Sequence, residues 1–318
     1  MGWRIVEINK NCSVKLFLNN LIISGESNIS IPINDIDVIL FTNCRINVSI
    51  NLLNELASNN VCIFFCNEKY LPTSMLFPII GNLLTLKIFN DQINWTEDFK
   101  GTVWKKIVEL KCHNQIKYLR FLNKINTSEF EYLRSFIEGI ENFDITNREG
   151  HIAKIYWHKL FGVGFSRDDD LLTINKLLNY GYTVLNGMVA RSIIKKGLDC
   201  RVSIFHKSVH NHFALSSDLI EPFRNVVDIL VIELLNRNII DSKTNDLTIE
   251  IKEVCLNFIA DFKIMINGLY HQLNNAIDLF VDSLVNKSIF DIHIEYTYNV
   301  ETNKKDNYFV DEEKDKEE

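Results

Sequence analysis

The apolar residues of this 318-residue chain change their period once, and that change limits what the chain can fold into. Up to about residue 75 they stand in short alternating or β-branched runs punctuated by Asn, Gly and Ser. From about Asn94 they recur every three or four residues. The first pattern predicts strands over residues 3–8, 14–18, 21–23, 28–33, 36–41 and 61–65. Asn19-Asn20 and residues 25–28 are the turn signals between them. One helix is expected there, over 50–57, from the spacing of Leu52, Leu53, Leu56 and Ala57. The second pattern predicts one or two helices around Trp104 to Leu122 and another across Phe130 to Ile140. Further helices are expected over 148–161, 170–195, 219–236 and 251–286. The fold class is therefore α+β: a small β-rich N-terminal domain (1–75), a linker (76–91), an all-α C-terminal domain (92–300), and an acidic tail (301–318) expected to be solvated and disordered.

Charge needs resolving by segment. The formal net charge is −7, which argues against non-specific coating of nucleic acid. The tail carries −4 of it, leaving −3 for residues 1–300. Residues 104–124 hold Lys105, Lys106, Lys111, Lys117, Arg120 and Lys124 against Glu109, a local +5. Residues 191–224 hold a local +3. Such stretches are either solvated helix faces or sites of phosphate contact, since binding counts local contacts.

Other classes are excluded more simply. No run approaches the roughly 18 apolar residues that span a bilayer. The first residues lack the basic-then-apolar layout of a secretory leader, and Val6 stands where a myristoylation signal needs Ser or Thr. A cytoplasmic protein without membrane contact is expected. Seven scattered Cys fit reduced thiols. Cys62 and Cys66, inside an apolar run, read as buried strand residues.

Three segments hold the residues with chemical capacity. His206, His210 and His212 lie near Asp218 and Glu221. His206 and His210, four apart, would suit zinc on a helix, but no Glu lies between them to act as a base. Asp218 and Glu221 are three apart. Pro222 places a helix start between them, so the pair is either a capping box or the oxygen part of a Mg2+ or Mn2+ site completed by an imidazole. In the second segment, Glu149 shares a helical stripe with Ile152, Ala153, Tyr156 and Leu160. There it is either an inward carboxylate that needs a partner or a first-turn Glu still reached by water. In the third, Tyr180 and Tyr182 with Asn175 and Asn179 are polar for an apolar helix, serving a site or a core hydrogen bond.

Taken together, Glu149, the run Leu178-Asn179-Tyr180-Gly181-Tyr182, Phe205-His206, and Asp218-Leu219-Ile220-Glu221-Pro222-Phe223-Arg224 resemble the CRISPR-associated protein one family, the integrase of CRISPR spacer acquisition. Asn19-Asn20 and Pro32-x-Asn34-Asp35-Ile36 extend the likeness to the strands. The Met1-Gly2-Trp3-Arg4 start and Asn211-His212-Phe213-Ala214-Leu215 are similar to the version found beside type II effector nucleases. Ser203 and Asn225 depart from the Gly and Pro usual in the family.

The resemblance implies a catalytic C-terminal domain that holds one Mg2+ or Mn2+ on Glu149, His206 and Glu221, with Asp218 as an additional acidic position. It implies direct transesterification, a DNA 3′-OH attacking a phosphodiester at the repeat boundary. Lys105, Lys106, Lys117, Arg120, Lys207 and Arg224 are then candidates for contact with double-stranded DNA, and Tyr180 and Tyr182 for lining the site. It implies a prokaryotic homodimer, paired through residues 13–41. It further implies a heterohexamer with CRISPR-associated protein two, and contact with the type II effector nuclease and other adaptation subunits. Two other readings compete: a divalent-metal nuclease on branched DNA that does not integrate, and a non-catalytic DNA-binding scaffold.

Overall fold

The computed structural model of the protein describes residues 4–24, 28–67, 72–76, 78, 84–169, 172–207, 211–240 and 247–296. The acidic tail (301–318) and His210 lie outside these residues.

The N-terminal strands are β1 (Arg4–Ile8), β2 (Ser13–Phe17), β3 (Asn20–Ser24), β4 (Ile29–Pro32), β5 (Ile36–Phe41), β6 (Asn47–Val48), β7 (Cys62–Cys66) and β8 (Pro72–Leu76), with helix α1 (Ile50–Ser58) before β7. They form two sheets of order β4-β3-β2-β6 and β1-β5-β7-β8. The β2–β3 hairpin closes on Leu18-Asn19, both at positive φ (46° and 59°), because Phe17 already pairs with Asn20. This is the twist that a two-residue hairpin loop favours, and it sets the turn one residue earlier than expected.

β5 pairs in parallel with β1 and β7, and all six of its residues are buried. From Val38 onward its side chains alternate between two cores. Ile36, Ile39 and Phe41, with Val6, Ile8 and Ile63, pack on Leu52 and Leu56 of α1 and on the second sheet. Val38, Leu40, Cys62 and Phe64 face the helices instead. All seven cysteines are free thiols, and Cys62 and Cys66 are buried in β7 as expected.

Helices α2 (Thr85–Ile93), α3 (Glu97–Phe121), α4 (Thr127–Glu138), α5 (Arg148–Phe161), α6 (Thr173–Lys195), α7 (Ala214–Leu219), α8 (Asn225–Asn236), α9 (Ile249–Asp261) and α10 (Leu273–Val285) build the rest. Ser49, Thr96 and Thr248 cap α1, α3 and α9, and Asn126 with Glu129 forms a capping box on α4.

Three boundaries differ from the sequence expectation. Residues expected to be linker end β8 at Leu76 and form α2 from Thr85. The helix expected over 219–236 is interrupted by a 3-10 turn at Glu221–Phe223, because Pro222 has no N–H to continue an α ladder. The helix expected over 251–286 is α9, a hairpin of β9 (Lys263–Ile266) and β10 (Leu269–Gln272), and α10. Asn267-Gly268, at φ 49° and 82°, makes the hairpin's two-residue loop, a strong turn dipeptide that overrides the helical spacing on either side. With β11 (Ile294–Glu295) it makes a three-stranded sheet, so the C-terminal region is mostly helical rather than all-helical. No helix among the described residues is long and apolar enough to cross a membrane.

α6 runs through the centre, with most of its residues buried. It meets the sheet at Gly187, where a Cβ would overlap the Phe64 ring, and Cys62 Sγ lies 3.6 Å from the Gly187 carbonyl. Arg191, one turn on, is ion-paired with buried Asp37 of β5 at 2.6 Å. Gly187→Ala is expected to destabilise the fold by about 1–3 kcal/mol through overpacking. A denaturant midpoint equal to that of the parent protein would contradict the close approach described.

Candidate functional site

α3 carries the central group of the site. Its inward stripe, Trp104, Ile107, Gln115 and Tyr118, also contains Lys111. α5 begins beside it. Asp144 accepts the amides of Arg148 and Glu149, each at 2.9 Å, so the helix end is satisfied without the Glu149 carboxylate. Glu149 is thereby free to turn inward, on the stripe of buried Ile152, Tyr156 and Leu160. The 3-10 turn presents Glu221 from the opposite side. Lys111 Nζ lies 2.6 Å from Glu149 Oε1 and 2.6 Å from Glu221 Oε2. Arg224 Nε lies 2.9 Å from the other Glu221 oxygen. Two carboxylates from separate helices thus converge on one cationic atom.

Burial alone pushes the Glu221 carboxyl up, but the Lys111 ammonium and the Arg224 guanidinium outweigh it and hold the group at about 2. Lys111 itself is raised: burial disfavours its charge, and the two carboxylates more than offset that.

His206 lies on irregular chain between α6 and α7, not on a helix. Asp218, fully buried in α7, fixes it. Oδ2 accepts the Ile204 and Phe205 amides (2.7 and 3.0 Å), and Oδ1 accepts the His206 amide (3.1 Å) and faces His206 Nδ1 at 2.6 Å. Asp218 therefore neither caps a helix nor belongs to a capping box. Its lone pairs are spent on the backbone and the imidazole. The bond to Asp218 raises the His206 pKa, against its burial, and the Asp218 and Glu221 charges add to the rise. Trp104 stacks on Phe205 at 4.2 Å and 5°, and both rings meet His206 edge-on.

Tyr182 stands beside the two glutamates on the wall of one cavity. Its hydroxyl donates to Asp228, as does that of Tyr156 at 2.8 Å, and Arg224 lies over its ring at 4.6 Å. Burial pushes Asp228 up to about 6, although the two tyrosines, Arg224 and Arg167 all act to lower it. Lys111, Gln115, Glu149, Arg167, Tyr182 and Glu221 are among the residues around a cavity of about 190 Å³. Tyr180 does not reach it. Helical spacing turns that ring the other way, under Lys252, and its buried hydroxyl has no hydrogen-bond partner among the described residues.

The basic candidates scatter. Lys105 pairs with Glu109 (3.8 Å), Lys117 with Glu295 (3.5 Å) and Lys207 with Glu97 (3.6 Å), while Arg120 lies over the Phe130 ring. Lys106 is half-buried, which lowers its pKa. Lys111, Arg167 and Asp228 line the same cavity and are not singled out by the sequence. For Lys111 a signal exists: it is a lysine at apolar-stripe spacing, four residues after Ile107 and four before Gln115.

Among the described residues, no three His, Cys, Asp or Glu side chains stand together as a ready-made metal cage. Two glutamates meet at Lys111, and His206 stands with Asp218. The donor set nevertheless suits a hard divalent cation. Two carboxylates already share a single cationic point, and an imidazole held at Nδ1 by a carboxylate keeps Nε2 for a ligand.

Comparison with known proteins fits this arrangement. The sequence profile of the family described as "CRISPR associated protein Cas1" matches residues 8–258. The chain is 32% identical to the CRISPR-associated endonuclease Cas1 of Neisseria meningitidis serogroup C over 285 residues, 89% of this chain and 91% of the relative. It is 25% identical to a Cas1 endonuclease of Saccharolobus solfataricus over 228 residues, 68% of this chain and 70% of the relative. Its fold is similar to that of a casposase bound to integration product (TM-score 0.75, 20% identity, 91% of each chain). A Cas1 protein from Thermotoga maritima is similar too (TM-score 0.72, 18% identity, covering 90% of this chain and 97% of that one). With the profile spanning most of its length and a relative 32% identical over nine-tenths of both chains, the chain belongs to the Cas1 family of CRISPR-associated proteins.

Proposed function

We propose that this protein is a divalent-metal-dependent DNA integrase and endonuclease of CRISPR adaptation. On this reading it joins captured DNA to the repeat array by transesterification. The observation that carries the proposal is the convergence of Glu149 and Glu221 on one cationic point, in a chain of the Cas1 family. The relatives' names (CRISPR-associated endonuclease) and the likeness to a casposase bound to integration product support it.

Glu149, Glu221 and His206 would hold Mg2+ or Mn2+, which when bound supplies Lewis acidity toward the scissile phosphate and acidifies the attacking 3′-hydroxyl. The remaining work falls to the chain. Asp218 fixes the loop and the imidazole orientation. Arg224, braced on Tyr182 and Glu221, lies at the cavity edge, where it can meet a DNA phosphate. Tyr156 and Tyr182 hold Asp228 by donated hydrogen bonds and so seat α8. In the reaction one P–O bond forms as another breaks. The attacking 3′-hydroxyl loses its proton and the departing 3′-oxygen gains one, so no protein nucleophile is required.

Among the other basic candidates, Lys105, Lys106, Lys117, Arg120 and Lys207 remain proposed contacts for the flanking duplex. For partners we propose a homodimer in which the hairpin of β2 and β3, with exposed Phe17 and Leu18 at its tip, meets its copy. A heterohexamer with Cas2 is proposed in addition, and it is consistent with the fold similarity to a Cas6-RT-Cas1–Cas2 complex (TM-score 0.70, 15% identity, 91% of this chain and 35% of that one). Contact with the type II effector nuclease is part of the same reading.

Glu149→Gln, His206→Ala and Glu221→Gln are each expected to reduce strand transfer to background in Mn2+, while circular dichroism stays unchanged. Near-parental joining of a pre-spacer to repeat DNA by Glu221→Gln would refute the ligand set. Cleaved but unjoined products in the presence of Cas2 would favour a nuclease on branched DNA. The paired glutamates also suit a non-catalytic scaffold, which DNA binding with no activity in any divalent ion would support. Asp218→Asn should behave differently from the ligand variants. It replaces one acceptor oxygen with a donor and so loosens both the loop and the imidazole, and is expected to lower Mn2+ affinity by about 10–100-fold in protein that circular dichroism shows to be folded, with partial recovery of strand transfer at high Mn2+. Titrating activity against Mn2+ checks this.

A further inference from the structure

Nothing in the ligand reading gives Lys111 a role, yet its ammonium is the group on which the candidate ligands close. It lies 2.6 Å from both glutamates, and the lysine side chain keeps only 14% of its exposure. Two carboxylates brought this close repel unless a cation lies between them, and at a mostly buried position that repulsion is weakly screened. Lys111 therefore allows the glutamates to converge in the free protein. A divalent ion held by Glu149 and Glu221 would draw on the same two carboxylates. An ammonium and a dication cannot share that point. The lysine stem is flexible, and the cavity of about 190 Å³ gives its head room to withdraw.

We propose that Lys111 is a displaceable internal cation: it holds Glu149 and Glu221 together before metal arrives and competes with the ion for them, so it sets the divalent-ion affinity. The inference rests on the reading of these glutamates as metal ligands. It carries a consequence for substrate. In the free site Lys111, Arg224 and Arg167 balance Glu149, Glu221 and Asp228. Once a dication takes the carboxylates, the withdrawn Lys111, with Arg224 and Arg167 beside it, leaves the cavity with excess positive charge, which a DNA phosphate neutralises. Metal and DNA should then strengthen each other's binding, by the same factor in each direction.

The test measures Mn2+ affinity of the full-length protein by electron paramagnetic resonance and calorimetry, with and without a short DNA duplex. It compares the parent protein with Lys111→Met, Lys111→Gln and Lys111→Arg. Without DNA, the two neutral variants are expected to bind Mn2+ at least about tenfold more tightly than the parent, within the range over which groups around metal ligands change affinity. They are also expected to melt at a lower temperature without metal and to gain more from Mn2+. Lys111→Arg should bind Mn2+ no more tightly than the parent, and DNA should tighten Mn2+ binding most in the parent. Unchanged or weaker Mn2+ binding by a folded Lys111→Met or Lys111→Gln protein overturns the inference and leaves the ligand reading standing. No Mn2+ binding by parent or variants overturns both. Loss of Mn2+ binding in Glu149→Gln, on the parent and the Lys111→Gln backgrounds alike, supports the ligand reading independently.

Discussion

Mutual repulsion between Glu149 and Glu221 is the constraint around which the helical region is arranged. The two carboxylates come from the first turn of α5 and from a 3-10 turn before α8, and neither element is held to the other by its own sequence. α3 joins them. It is the 25-residue helix that touches α4, α5 and the 3-10 turn, and its Lys111 supplies the charge that lets both acids point into one cavity. The helix ends are arranged to match. Asp144 satisfies the α5 amides, and Pro222 breaks the chain where Glu221 must turn.

Around that ion-pair centre the supporting groups are buried and mostly satisfied. Asp218 spends both oxygens on three amides and an imidazole, which turns an irregular loop into a fixed mount for His206. Asp228 takes two tyrosine hydroxyls from different helices, α5 and α6. Gly181 makes the second of these contacts possible: a Cβ there would press on Val227, so its absence lets α8 approach α6 closely enough for Asp228 to meet Tyr182. Polar groups left unpaired in such surroundings cost about 1–3 kcal/mol each, so the network selects one arrangement of the three helices.

Much of this was legible in the sequence, for identifiable reasons. The strand limits for β5 and the helix limits for α5 follow from runs whose burial is one-sided or complete, and the structure reproduces both. The inward placement of Glu149 followed from its stripe. Asp218 was legible as an acid near the site but not in its role, because its four partners lie twelve to fourteen residues upstream on a loop with no periodic pattern. Tyr180 and Tyr182 looked equivalent in composition. Two residues of helix rotate one of them about 200° from the other, and only Tyr182 faces the acids. Lys111 was hidden among five other basic residues of the same segment, where a charge count registers it but gives no direction. The β9–β10 hairpin is masked because the amphipathic spacing on both sides of Asn267-Gly268 continues the helical period.

The alternation of side chains along β5 and β7 bears on how the molecule comes apart. From Val38 in β5 and throughout β7, alternate residues pack in the core under α1 and in the core under α6, with Phe64 seated on Gly187. Neither core can open without stripping one face of the same two strands. The strand-rich and helix-rich regions are thus joined through β5 and β7, whose residues pack in both cores. Severing the backbone between β8 and α2 would expose the α6-facing side of the sheet on one fragment and the helix face that covers it on the other.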